Sequence, residues 1–173
     1  MVQATLTLIV RSAAAQRGTL ALGPYRWPCA LGSGGIRAIK REGDGATPRG
    51  LFKVLRAYYR PDKFSRLPAA VALAPTAPCA GWCDAPGDPN YNRRVPLPYR
   101  ASAERMWRDD DLYDAVLVLD YNIRPRVRGA GSAIFLHIAR DGYAPTEGCV
   151  AVSKHDMRQL LSRLRRGTRL LIR

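Results

Sequence analysis

The chain has 173 residues, 47% of them hydrophobic, which suits one domain with a sizeable core. Its 28 basic residues against 14 acidic ones give a net charge of +14, which points to an anionic partner: nucleic acid, an acidic membrane surface or an anionic wall polymer. No RNP, zinc-finger or helix-turn-helix pattern accompanies the arginines, so nucleic acid is not expected, and no run approaches the roughly 20 apolar residues of a membrane-spanning helix.

Met1–Val10 lacks the basic start of a signal peptide, and Gln3, Thr5 and Thr7 interrupt its apolar residues. The alternation Val2, Ala4, Leu6, Leu8, Val10 predicts a half-buried strand. Leu20–Leu31, with Gly23-Pro24 in the middle, predicts a hairpin. The cluster Gly32-Ser33-Gly34-Gly35 lacks the Gly-Lys-Ser/Thr ending of a phosphate loop and reads as a plain turn. A loop over Glu42–Gly45 then delivers Thr47-Pro48 into Gly50 and a strand, Leu51–Tyr59.

Arg60 to Asp111 is proline-rich and irregular, and so long a stretch inside a compact domain is usually functional. We expect residues 60–111 to be an insertion over the active face. Within it, Leu67–Leu73 is the ordered apolar piece, and Ser102–Trp107 predicts a short helix capped by Ser102. Trp82, Tyr91 and Asn92 offer aromatic and amide surfaces for walling a substrate groove, although each suits a local core anchor equally well. Cys79 and Cys83 could form a short disulfide, or a zinc set with His137 and Cys149. No second paired motif supports zinc, and the histidine has a better use, so no metal or cofactor is expected.

Leu112–Tyr121 is the strongest strand signal, and its apolar centre Ala115–Leu119 predicts burial on both faces. After the basic turn Asn122–Gly131, a short apolar run, Ile134-Phe135-Leu136, ends on His137; a second, Val150-Ala151-Val152, follows directly on Cys149. Between them lies a loop with Gly142, Pro145 and Gly148. Two such strands side by side bring an imidazole near a thiol. The imidazole can take the thiol proton, and the Gly148 and Cys149 amides can face a developing oxyanion; from spacing alone a core cysteine and a satisfied histidine suit the pattern at least as well. On the same loop Arg140, Tyr143 and Thr146 are candidate substrate contacts, Arg140 for a carboxylate. A helix over Lys154–Arg165 is predicted from Ser153 as cap and Met157, Leu160, Leu161 and Leu164 as its apolar stripe, with Gly167 just past its end. His155 is read as a surface residue. Thr168–Arg173 closes the sheet. The whole, residues 1–173, is expected to be a single mainly β domain, a mixed sandwich or barrel-like sheet with a C-terminal helix.

Thr146-Glu147-Gly148-Cys149-Val150 resembles the S/T-x-G-C-[IV] nucleophile motif of the YkuD-type L,D-transpeptidases, with His137 in the place of their upstream histidine. Thr47-Pro48-Arg49-Gly50-Leu51-Phe52 resembles the same family's second signature, in the family's order. The family usually has Gly or Ser after the histidine and Arg two residues after the cysteine, where this chain has Ile138 and Ala151; these departures bear on substrate anchoring and on which cross-link is made. The resemblance implies a cysteine acyl-transferase acting on peptidoglycan stem peptides, with Cys149 as nucleophile, His137 as base, and carbapenem-type β-lactams as expected inhibitors. It also implies a periplasmic or cell-envelope location, although no signal peptide is visible. Three other readings stay open: hydrolysis of the same thioester, a cross-link through the first-position L-Ala, and a non-catalytic basic module that binds an anionic polymer.

Overall fold

The computed structural model describes residues 7–14, 16–64 and 71–173. Thr7–Ala14 (β1), Arg17–Leu22 (β2) and Tyr25–Ala30 (β3) form an antiparallel meander. Ile36–Arg37 (β4) and Thr47–Pro48 (β5) make a small parallel pair, followed by the long strand Gly50–Tyr59 (β6) and by Leu73–Pro75 (β7). Ala80–Cys83 (β8), Arg93–Pro96 (β9) and Ala103–Arg105 (β10) form a separate sheet in the order β10-β8-β9. Ala115–Leu119 (β11), Phe135–Ile138 (β12), Val150–Val152 (β13), a helix at Lys154–Leu161 (α1) and Arg169–Ile172 (β14) complete the chain.

The large sheet runs β11-β12-β13-β3-β2-β1-β14-β6-β7, and β6 also pairs with β11, so the sheet closes on itself as a barrel. Closure explains β6: at ten residues it is long enough to bond β14 through its first half and β11 through its second. Every β11, β12 and β13 residue is buried because these strands are covered on both sides. Leu117, Leu119, Leu136, Ile138, Val150 and Val152 face the barrel interior and the Met157, Leu160 and Leu161 stripe of α1. Val116, Val118, Phe135 and Cys149 face the other way, into a second core with Trp82 and Met106 from the small sheet and its neighbourhood. Each large apolar side chain buried in these layers contributes about 1.5–3 kcal/mol of transfer free energy.

The hairpin falls where expected, with Gly23 at φ +55 in its turn. Two local predictions do not hold. Ser102–Trp107 is not a helix: Ala103–Arg105 pairs with β8, and that ladder outweighs one cap residue. The C-terminal helix stops at Leu161 rather than Arg165, because Ser162 Oγ and Arg163 Nη1 both bond to Gln159 O at 2.7 and 2.6 Å and take over its last turn. Its start is as predicted, with Asp156 N donating to Ser153 Oγ at 3.0 Å. Most of Leu67–Leu73 and of Met1–Val10 lies outside the described residues. Among the described residues, no helix is long and apolar enough to cross a membrane.

Candidate active site

β12 and β13 pair in parallel, Leu136 with Val150 and His137 with Ala151. Extending that register by one residue sets Cys149 beside Phe135, with its side chain on the same face as Phe135 and His137. Diagonal neighbours on paired strands stand roughly 7 Å apart, within reach of an imidazole. Both groups line a cleft of about 350 Å³, although Cys149 is 7% exposed and His137 5%. They touch it from below, at the floor.

The loop that carries Cys149 is tied at several points. Thr146 Oγ1 donates to Cys149 O at 2.6 Å, and Thr47 Oγ1 donates to the same carbonyl at 3.4 Å. Thr47 Oγ1 also accepts from Gly32 N at 2.8 Å, so the Thr-Pro turn and the glycine turn both brace the cysteine. Gly148 N donates to Thr146 Oγ1 at 3.2 Å. That amide is therefore engaged within the loop. Gly148 itself stands at φ +123, and a Cβ there would lie 2.7 Å from Ala46 O, so the position requires glycine on two counts.

The thiol donates to Ala133 O at 3.2 Å, and its sulfur accepts from Phe135 N at 3.3 Å. His137 Nδ1 lies 2.8 Å from Ile138 O. A carbonyl only accepts, so Nδ1 carries the proton and Nε2 keeps its lone pair. The carbonyl that fixes this tautomer belongs to the backbone, so the side chain at position 138 does not decide it. Burial pushes the Cys149 thiol up to about 12, with the Glu104 carboxylate adding to it, and pushes the His137 imidazole down to about 4. Thiol and imidazole are thus both uncharged at rest.

The other expected contacts divide. Arg140 and Thr146 line the cleft. Tyr143, at φ +54, lines a neighbouring hollow with Asp111, Ser153 and Lys154, which Arg140 separates from the cleft. Trp82, Tyr91 and Asn92 are buried behind the wall. Trp82 Nε1 donates to Asn92 Oδ1 at 2.9 Å, and its ring meets Phe135 edge-on at 5.1 Å. Asn92 Oδ1 also accepts from Ala133 N at 3.1 Å, while its amide donates to Tyr121 O and Asn122 O. Tyr91 OH donates to Glu42 and accepts from Gly131 N. These three side chains hold the Asn122–Ala133 segment whose carbonyl meets the thiol. Sequence reasoning missed Asp84, Glu104, Arg108 and Tyr113, which all line the cleft. Tyr113 hid inside a strand pattern, and the other three carry no motif. Cys79 and Cys83 are free thiols, Cys79 exposed in the turn before β8 and Cys83 buried at that strand's end.

The family model for YkuD, the L,D-transpeptidase catalytic domain, matches residues 9–172. No curated protein matches the chain. Among solved structures, L,D-transpeptidase 1 of Mycobacterium tuberculosis is similar at 11% identity and a TM-score of 0.44, with 97% of this chain and 61% of that one covered. The chain therefore spans less than two thirds of that protein. A family match that runs from the first barrel strand to the last, with the Thr146–Cys149 loop and His137 inside it, places the chain in the YkuD family of L,D-transpeptidase catalytic domains.

Proposed function

We propose that the protein is a peptidoglycan L,D-transpeptidase working through a Cys149 thioester. The supporting observation is the pairing of β12 and β13, which sets Cys149 and His137 side by side on one cleft floor with Nε2 of the imidazole unprotonated. On donor binding the thiol exchanges Ala133 O for His137 Nε2, by rotation about one side-chain bond. Nε2 takes the proton as sulfur attacks a carbonyl of the donor stem peptide. The Cys149 N–H faces the oxyanion, since Gly148 N is engaged by Thr146. The imidazolium then protonates the leaving amine, and a thioester remains. An acceptor amine on a second stem resolves it and forms the cross-link, while Arg140 is placed to hold a substrate carboxylate. Stem peptides as substrate place the protein in the periplasm or cell envelope, and the same sulfur is open to acylation by carbapenem-type β-lactams.

The experiment is digestion of purified sacculi with wild type and with Cys149→Ala, products being identified by mass. Cross-linked dimers formed by wild type and absent with the variant are expected, and their masses separate a 3-3 link from one through L-Ala. Shortened stems without dimers would reassign the protein as an L,D-carboxypeptidase. Equal products from both proteins would sink the cysteine mechanism.

A further inference from the structure

The cleft contradicts the charge of the molecule around it. The chain carries +14, yet Glu42, Asp84, Glu104 and Glu147 line the cavity that holds Cys149, against Arg108 and Arg140. Two of the charged groups are already engaged. Glu42 accepts from Tyr91 OH, and Arg108 is forked onto Asp110 at 2.8 and 2.5 Å. Asp84 and Glu104 are different. Glu104 lies on β10 and Asp84 directly follows β8, where Glu104 pairs with Trp82 and Ala103 with Cys83, and Asp84 N donates to Ser102 O. That register makes Asp84 and Glu104 diagonal neighbours on one face, the face turned to the cleft.

Glu104 Oε1 accepts from Tyr113 OH at 2.7 Å, and Arg108 Nη1 approaches it only to 4.0 Å. The Tyr113 ring stands edge-on to His137 at 5.2 Å, so Glu104 lies one side chain away from the dyad. Asp84 Oδ1 is shut off from solvent and has no hydrogen-bond partner. Burial first, and then the nearby Asp84 and Asp110 carboxylates, hold the Glu104 carboxyl above its usual range despite Tyr113 and Arg108. The arrangement also works against the nucleophile, because Glu104 opposes ionisation of Cys149. Two adjacent carboxylates, one with an orphaned oxygen, repel each other and hinder thiolate formation. A cation between them removes both penalties.

We infer that Glu104 and Asp84 receive the acyl acceptor as an ammonium ion and that Glu104 deprotonates it, a reading that rests on the transfer reaction proposed above. In the thioester enzyme the acceptor's –NH3+ sits against the two carboxylates. One proton passes to Glu104, leaving a neutral amine with a free lone pair. The amine attacks the thioester carbonyl, and a carbon–nitrogen bond forms. The proton still in excess on nitrogen passes to His137 Nε2. As the carbon–sulfur bond breaks, His137 returns that proton to sulfur. The products are an amide, a neutral Cys149 thiol and a protonated Glu104, which loses its proton to solvent. The carboxylate pair thus selects for acceptors that arrive charged.

The test compares two acceptors on one donor peptide. Glycinamide arrives largely as an ammonium ion; methoxyamine is uncharged at neutral pH. The variants are Glu104→Gln, which keeps the hydrogen bond from Tyr113, and Asp84→Asn. Donor acylation of Cys149, read as a mass shift, should persist in Asp84→Asn and be no slower than wild type in Glu104→Gln, whose lost carboxylate opposed ionisation of the thiol. KM for glycinamide, taken relative to that for methoxyamine in the same variant, should rise by about tenfold or more, equivalent to ~1.4 kcal/mol of lost ion pairing. An equal fall with both acceptors would mean a structural role only, and no change with either would mean that the carboxylates do not meet the acceptor; each result overturns the proposal. Absence of acylation in wild type would remove the transfer reaction itself, and this proposal with it.

Discussion

At the scale of single residues the proposed chemistry turns on two groups held uncharged by burial. The Cys149 thiol is pushed up to about 12 and the His137 imidazole down to about 4, desolvation being the largest cause for each. Between those limits sulfur keeps its proton and Nε2 its lone pair. Alkylation by iodoacetamide follows the thiolate fraction, so its rate should rise about tenfold per pH unit between pH 6 and 10 with no plateau. A preformed thiolate–imidazolium pair would instead give a fast, flat profile from pH 6 upward, and that result would refute neutral resting groups. His137→Ala should leave alkylation nearly unchanged yet abolish acylation by a donor peptide, because in the proposed mechanism the imidazole acts when the proton moves rather than before. Gly148 supplies a steric counterpart. Gly148→Ala sets a methyl group 2.7 Å from Ala46 O at φ +123, and we expect a loss of about 1–3 kcal/mol in thermal unfolding, with acylation lost as the loop shifts.

At the scale of elements, the site is a joint between the barrel and the small sheet, and Asn92 is its pin. One side chain at φ +55 links Trp82, Ala133, Tyr121 and Asn122. Asn92→Leu leaves buried backbone groups and the Trp82 N–H without partners, at about 1–3 kcal/mol for each group stranded. Donor acylation should fall more than stability requires, because Ala133 O, the thiol's partner, loses its anchor; chemical denaturation run beside acylation kinetics on the folded variant checks this. The same joint explains what the sequence disclosed. β12, β13 and the Ser153 cap were legible because their information is local: apolar runs of strand length, a cap three residues ahead of its amide. The Cys149–His137 pair was legible because one loop joins both strands. Glu104 was not. Its position depends on Ala103–Arg105 lying along β8, a pairing that no spacing within Ser102–Trp107 announces and that the helix reading concealed. Trp82, Tyr91 and Asn92 drew notice as surfaces for substrate, but their hydrogen bonds turn them inward.

At the scale of the whole molecule, charge is sorted rather than merely abundant. Four carboxylates gather in the cleft, while Arg93, Arg124 and Arg126 crowd where β9 meets the Asn122–Gly131 turn. The Arg126 guanidinium is held below its usual range by burial and then by Arg93 and Arg124, and its Nε is buried without a partner. None of these three arginines joins an ion pair among the described residues. A surface of this kind attracts a polyanion through its field, and salt screens such a field over about 10 Å at 0.1 M. Chemistry on the cleft floor is screened far less. Binding to purified sacculi should therefore weaken steeply from 50 to 300 mM salt, equally for wild type and Cys149→Ala, while acylation by a small soluble donor changes less than about twofold. Replacing Arg93 and Arg124 by Glu should reduce sacculus binding and leave soluble-donor acylation intact. If the double replacement instead reduces both in proportion, the basic face and the cleft form one substrate surface, and the two charges are not separate in function.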